Sequence, residues 1–201
     1  MKMKLLMIVI LVCFGQVAVI WGQTKPKSFY VKYITLETDP NPRFVWDYAN
    51  KIISFGRESN NKEAACLKKE LMKTGLFSKI EYKFAKLKDS DDYEFHLTIN
   101  YKSPNPVYKV SKIELSSFKE VNNSNFKIFL ASENLIGKSL SLKTGYVDFE
   151  DKIIESVKKS IIDETKREEF KLPWLIFKLN KKNELEVIVA PDFNGCKNLT
   201  K

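Results

Sequence analysis

The 201-residue sequence predicts an α+β protein of two tandem β-α-α-β-β units, each a three-stranded mixed sheet with two helices packed on one face. Three observations predict it. Apolar and polar residues alternate in two pairs of stretches, near residues 80–101 and 172–190, each pair joined by a short polar turn. Apolar residues recur at helical spacing in the segments that precede each pair. The whole order then runs twice, on either side of Ser103-Pro104-Asn105-Pro106, with a period of roughly 80 residues.

The first unit opens with residues 29–36, aromatic and β-branched, hence a strand. Asp39-Pro40-Asn41-Pro42 breaks it. Val45, Tyr48, Ala49 and Ile52 then fall on one face of a short helix. Residues 56–61 read as a breaker. Asn60 and Glu63 have the spacing of a capping box, and Ala64, Leu67 and Leu71 share the face of the helix that follows. Gly75 suits the left-handed position that closes it, because glycine lacks a Cβ. Leu76 and Phe77 are predicted core. The period then drops to two: Ile80, Tyr82 and Phe84 alternate with Glu81 and Lys83, residues 88–92 turn, and Tyr93, Phe95, Leu97, Ile99 and Tyr101 alternate with polar neighbours. This is an antiparallel hairpin with one face on the helices and one in water.

The second unit repeats the order. Residues 108–115 read as a strand. Residues 122–133 open with capping residues and place Phe126, Phe129 and Leu130 on a short helix, and residues 136–141 read as a loop. Phe149, Ile153, Val157 and Ile161 recur every four residues, predicting a helix over 147–164. Residues 172–179 and 184–190 form the closing strands.

Composition narrows the class. With 44% hydrophobic and 29% charged residues, the chain reads as globular. Lys2 and Lys4 precede an apolar run from Leu5 to about Ile20, so residues 1–22 read as a secretory signal peptide; an uncleaved anchor is the alternative. Their removal takes away two lysines and no acids, leaving +7 of the full chain's +9. The basic residues are scattered among acids and form no stripe interleaved with aromatics, which argues against nucleic acid. A peripheral contact with an acidic membrane surface or an acidic partner stays open. Cys66 and Cys196 are either bridged or free; nothing in the sequence brings them together, so free thiols are the expectation.

The stretch Leu67–Phe84, followed by Tyr93–Lys102, resembles the polypeptide-transport-associated (POTRA) domain: a second helix ending in Gly, then Leu-Phe, then an alternating hairpin. Residues 110–141, with Ile113-Glu114-Leu115 and Gly137-Lys138-Ser139-Leu140, resemble the opening of a second such domain. The likeness covers nearly all of the chain beyond residue 22, with expected domains at 29–103 and 107–190 and a tail at 191–201. Two features depart from the pattern. The usual Gly-Asn after the first strand is absent, and the second unit lacks the Gly-Leu-Phe ending. No membrane barrel is expected in this sequence, since 11 residues follow Ala190 and a barrel needs about 8 strands.

The resemblance implies a non-enzymatic exported protein of the periplasm or outer membrane. It would bind polypeptides or a partner protein of outer-membrane assembly or transport by adding a strand to a sheet edge. In the family the second strand is typically that edge. The matching residues are Ile80, Glu81, Tyr82, Lys83 and Phe84, and more loosely Leu175, Ile176, Phe177, Lys178 and Leu179. The competing reading is that Lys79, Lys83 and Lys178 guard these edges against pairing.

Catalytic inventory is sparse. His96, the lone histidine, falls on the polar side of an alternating strand. Asp89, Asp91 and Asp92 lack the glycine and distal glutamate of a calcium loop and read as a solvated turn. The sequence carries no nucleophile elbow, phosphate loop or dinucleotide fingerprint, so no catalytic residue, metal or cofactor is expected. The alternative is an exported α+β enzyme or inhibitor with a site these motifs do not reveal.

Overall fold

The computed structural model describes residues 28–37, 43–53, 56–116, 118–163, 170–192 and 196. The signal-peptide reading at residues 1–22 lies outside them. The first unit runs β1 (Ser28–Glu37), α1 (Arg43–Ile52), β2 (Glu58–Asn60), α2 (Asn61–Lys73), β3 (Phe77–Lys86) and β4 (Tyr93–Tyr101). The second runs β5 (Val107–Leu115), α3 (Asn123–Glu133), β6 (Ser139–Ser141), α4 (Tyr146–Lys159), β7 (Trp174–Leu179) and β8 (Leu185–Ala190).

The two sheets have orders β2-β1-β4-β3 and β6-β5-β8-β7. In both, the first long strand lies parallel to the last, and the hairpin strands pair antiparallel. Two POTRA-like β-α-α-β-β units thus stand in tandem. Each sheet has four strands rather than three. The extra strand is a three-residue segment, β2 or β6, antiparallel to the start of β1 or β5. Both fall where the sequence reads as breaker or loop, because three residues are too few to show a period.

The helices form where the spacing predicts. Asn60 Oδ1 accepts from the Lys62 and Glu63 amides, and Glu63 returns a bond from the Asn60 amide at 2.9 Å, completing the capping box. Ala64, Leu67 and Leu71 of α2 are fully buried, and Gly75 sits at φ +76°. Burying each leucine contributes about 1.5–3 kcal/mol. Helix α4 ends at Lys159, short of the predicted residue 164. Ile161 is buried as expected, but in a bridge to Val121, with the Ile162 amide donating to the Glu120 carbonyl. Its four-residue spacing reports burial beyond the helix that carries it.

Cys66 on α2 and Cys196 in the tail form a disulfide, with Cα atoms 6.1 Å apart. This corrects the expectation of free thiols. The bridge joins residues 130 positions apart, a proximity made only by the folded chain.

The units share a buried aromatic cluster. Phe44 of α1 has its ring centroid 4.9 Å from Phe177 of β7, 5.7 Å from Tyr146 of α4 and 6.1 Å from Phe77 of β3. Beside it, Arg43 Nε lies 3.3 Å from a Glu150 carboxylate oxygen, and Lys51 Nζ stands 5.2 Å from the Trp174 ring. The Leu179 amide donates to the Thr74 carbonyl at 2.8 Å.

Candidate functional site

Strand β3 is the outer member of the first sheet, with β4 on its inner side. The Leu87 amide donates to the Asp92 carbonyl, and the register pairs Lys79, Glu81, Lys83 and Ala85 with Asn100, Thr98, His96 and Glu94. Antiparallel backbone groups alternate in direction. Those of Glu81 and Lys83 therefore turn toward β4, and those of Ile80, Tyr82, Phe84 and Lys86 turn away from it. Three of these face their side chains inward: Ile80 is buried, and Tyr82 and Phe84 pack against the core.

The five first-unit residues singled out from the sequence thus divide by role. Ile80, Tyr82 and Phe84 offer outward main-chain groups and apolar side chains. Glu81 and Lys83 spend their main-chain groups on β4 and present their side chains on the polar face.

An open cleft of about 650 Å³ runs along this edge, lined by Lys68 of α2, Glu81, Tyr82, Lys83, His96 and Thr98. Lys68 comes from the helix face and His96 from the solvent face, so the cleft wraps both sides of β3. Sequence reading missed Lys68 because nothing in the spacing of α2 shows which polar residue overlooks the strand.

The polar face beside it is a closed hydrogen-bond array. His96 Nδ1 lies 3.4 Å from Glu37 Oε1 and its Nε2 lies 3.1 Å from Glu94 Oε2. Thr98 Oγ1 donates to Glu37 Oε2 at 3.0 Å, and Thr35 Oγ1 donates to Glu94. Glu37 titrates below the usual carboxylate range, first because Thr98 donates to it and second because His96 does. The Thr98 hydroxyl engages Glu37 and not His96, and both imidazole nitrogens face carboxylates. No base-and-nucleophile contact of the kind acyl transfer needs is formed in this array.

The acidic turn is held by lysines: Lys86 Nζ is 2.7 Å from Asp91, and Lys32 Nζ 3.6 Å from Asp92. Among the described residues, His, Cys, Asp and Glu side chains form no group of three or more that could hold a metal ion. No helix among them is long and apolar enough to cross a membrane.

Strand β7 is the outer member of the second sheet. The Asn180 amide donates to Glu184, so Ile176 and Lys178 turn their main-chain groups toward β8, whereas Leu175, Phe177 and Leu179 turn theirs away. Here the edge meets the first unit: Leu179 bonds Thr74, Phe177 packs on Phe44, and Trp174 lies under Lys51. Sequence reading did not single out Phe44, which precedes the predicted α1 face of Val45, Tyr48, Ala49 and Ile52.

No family model matches the chain, and no curated protein matches it. Solved structures do. The N-terminal domain of Omp85 from Thermosynechococcus elongatus is 12% identical, over 81% of this chain and 63% of that one, with a TM-score of 0.32. Domains POTRA1-3 of the periplasmic part of Omp85 from Anabaena are 15% identical, over 82% and 62%, with a TM-score of 0.35. Domains POTRA1-2 of the same protein are 14% identical, over 84% and 99%, with a TM-score of 0.34. The chain spans less than two thirds of the length of the first two.

Proposed function

We propose that this POTRA-like chain is a non-enzymatic binder of polypeptides that adds an extended segment to the β3 edge, in the periplasm or at the outer membrane. The observation that carries the reading is the ten-residue edge strand itself. Its outward main-chain groups at Ile80, Tyr82, Phe84 and Lys86 have no neighbouring strand among the described residues. An added strand gains main-chain hydrogen bonds at each of these positions with little demand on sequence. The apolar N-terminal run behind Lys2 and Lys4 supports export, and the Gly-Leu-Phe hairpin resemblance supports a role in outer-membrane protein assembly or transport. The His96 array supports the non-enzymatic part, since both imidazole nitrogens face carboxylates and the Thr98 hydroxyl is engaged by Glu37.

Amide hydrogen exchange tests the site. An extended Thr/Val peptide should slow exchange at Ile80, Tyr82 and Phe84 and leave Glu81 and Lys83 unchanged. Uniform protection, or none, would remove strand addition at β3. Tyr82→Pro deletes an outward amide at an edge position that tolerates proline and should abolish capture. Cell fractionation with cross-linking tests the compartment; a chain that stays in the cytosol without outer-membrane contacts removes that part.

A further inference from the structure

We infer that the β3 cleft selects acidic extended segments, with Lys68 and Lys83 as the two cations that read them. This rests on the reading of β3 as a polypeptide-binding edge.

The charges around the cleft are mostly satisfied within the chain. Lys79 Nζ lies 2.9 Å from Glu81, and Lys86 Nζ lies 2.7 Å from Asp91. Glu37 and Glu94 share the His96 ring, each also accepts from a threonine hydroxyl, and neither lines the cleft. Lys68 and Lys83 are exposed and form no ion pair among the described residues, although the field of Lys83 reaches Glu37. The lining acid, Glu81, is already taken by Lys79. Among the charged side chains that line the cleft, Lys68 and Lys83 stand against the lysine-paired Glu81, so the lining offers an incoming chain net positive charge.

The placement of the two lysines makes the selectivity directional. Side chains of an added strand alternate between its two faces. A residue beside Tyr82 on the inner face comes under Lys68, which lines the same cleft as Tyr82. Its sequence neighbour points to the polar face, beside Lys83. Two adjacent acidic residues, one on each face, would satisfy both cations at once. Rim charges of this kind set which partner is accepted more than how tightly any partner is held. The lysines then act as selectors and not only as guards of the edge, since they repel basic strands while admitting acidic ones.

The test uses the full chain and three end-capped Thr/Val peptides: one with two adjacent central glutamates, one with glutamines in their place, and the glutamate peptide N-methylated at alternate amides. At low salt the glutamate peptide should bind about fivefold to tenfold tighter than the glutamine peptide, given the modest worth of each exposed pair. The ratio should fall toward one at about 0.5 M NaCl, where the screening length is roughly 4 Å. A Lys68→Gln/Lys83→Gln double variant should lose the ratio and keep its affinity for the glutamine peptide. Equal binding of the two unmethylated peptides, or a ratio that survives the double variant, overturns acidic selection and leaves the edge reading standing. Undiminished binding of the methylated peptide, or binding of neither unmethylated peptide, overturns the edge reading itself.

Discussion

The backbone amide of Leu179 donates to the carbonyl of Thr74 at 2.8 Å, tying the outer strand of the second sheet to the turn that closes α2. The turn is the one Gly75 makes possible. The last outward amide of β7 is thereby used within the chain, while the outward amides of β3 face no strand among the described residues. The tandem units are alike in topology but differ in the surroundings of their outer strands.

Gly75 is the first place to test this joint. It sits at φ +76°, and a Cβ there would come 3.3 Å from the Leu179 Cβ. Gly137 has φ +87°, with nothing within 4 Å of the same added atom. Gly137→Ala should cost about 1 kcal/mol, the backbone strain alone. Gly75→Ala should cost more, about 2 kcal/mol, because strain and crowding add. Urea midpoints give both values. Equal losses would mean that Leu179 yields freely and the joint is loose.

Phe44 bridges both units, and its side chain is 1% exposed. Phe44→Ala alone should cost about 3–5 kcal/mol by transfer and cavity formation. The part that belongs to the joint is the coupling to Phe177, 4.9 Å away. A double-mutant cycle of Phe44→Ala and Phe177→Ala should return a coupling of about 1 kcal/mol. Strict additivity would assign Phe44 to the first unit's core only.

How far the sequence reaches is visible in these residues. The capping box at Asn60 and Glu63, the helix stop at Gly75 and the alternation of β3 with β4 were legible, because each is a local rule acting over a few positions. Strands β2 and β6 were not, since Glu58-Ser59-Asn60 and Ser139-Leu140-Ser141 are too short and polar to carry a period. The edge candidates Ile80–Phe84 and Leu175–Leu179 were legible as strands. Their different surroundings were not, because Thr74 and Leu179 lie far apart in sequence. For the same reason Glu37, brought to His96 from 59 residues away, left no sign in the spacing around the histidine.

The Cys66–Cys196 bridge should contribute about 2–5 kcal/mol, since it closes a long loop in the unfolded chain. Reductant should lower the urea midpoint of the native chain. It should leave a Cys66→Ala/Cys196→Ala variant unmoved, at the midpoint of the reduced native chain. A native midpoint insensitive to a reductant that demonstrably opens the bridge would show that the tail adds nothing to stability.

Glu150 sets a pH dependence at the joint. It is 6% exposed, accepts from the Tyr146 hydroxyl at 3.5 Å and has its other oxygen 3.3 Å from Arg43 Nε. Burial pushes its pKa up from 4.5, and Arg43 only partly opposes this. In the unfolded chain the group ionises near 4.5; in the folded chain it ionises at higher pH. Below 4.5 both states are protonated and Glu150 contributes no pH-dependent term. As pH rises through the folded pKa, the folded state must carry a charge it disfavours, and stability falls. Glu150→Gln should therefore raise the melting temperature at pH 8 and leave it unchanged at pH 4. Arg43→Met removes the partner and should cost about 1–3 kcal/mol at pH 8, and less at pH 4, because the acid can then keep its proton. A Glu150→Gln chain with the same pH profile as the native one would mean that the carboxylate at the joint is solvated well enough to ionise without penalty.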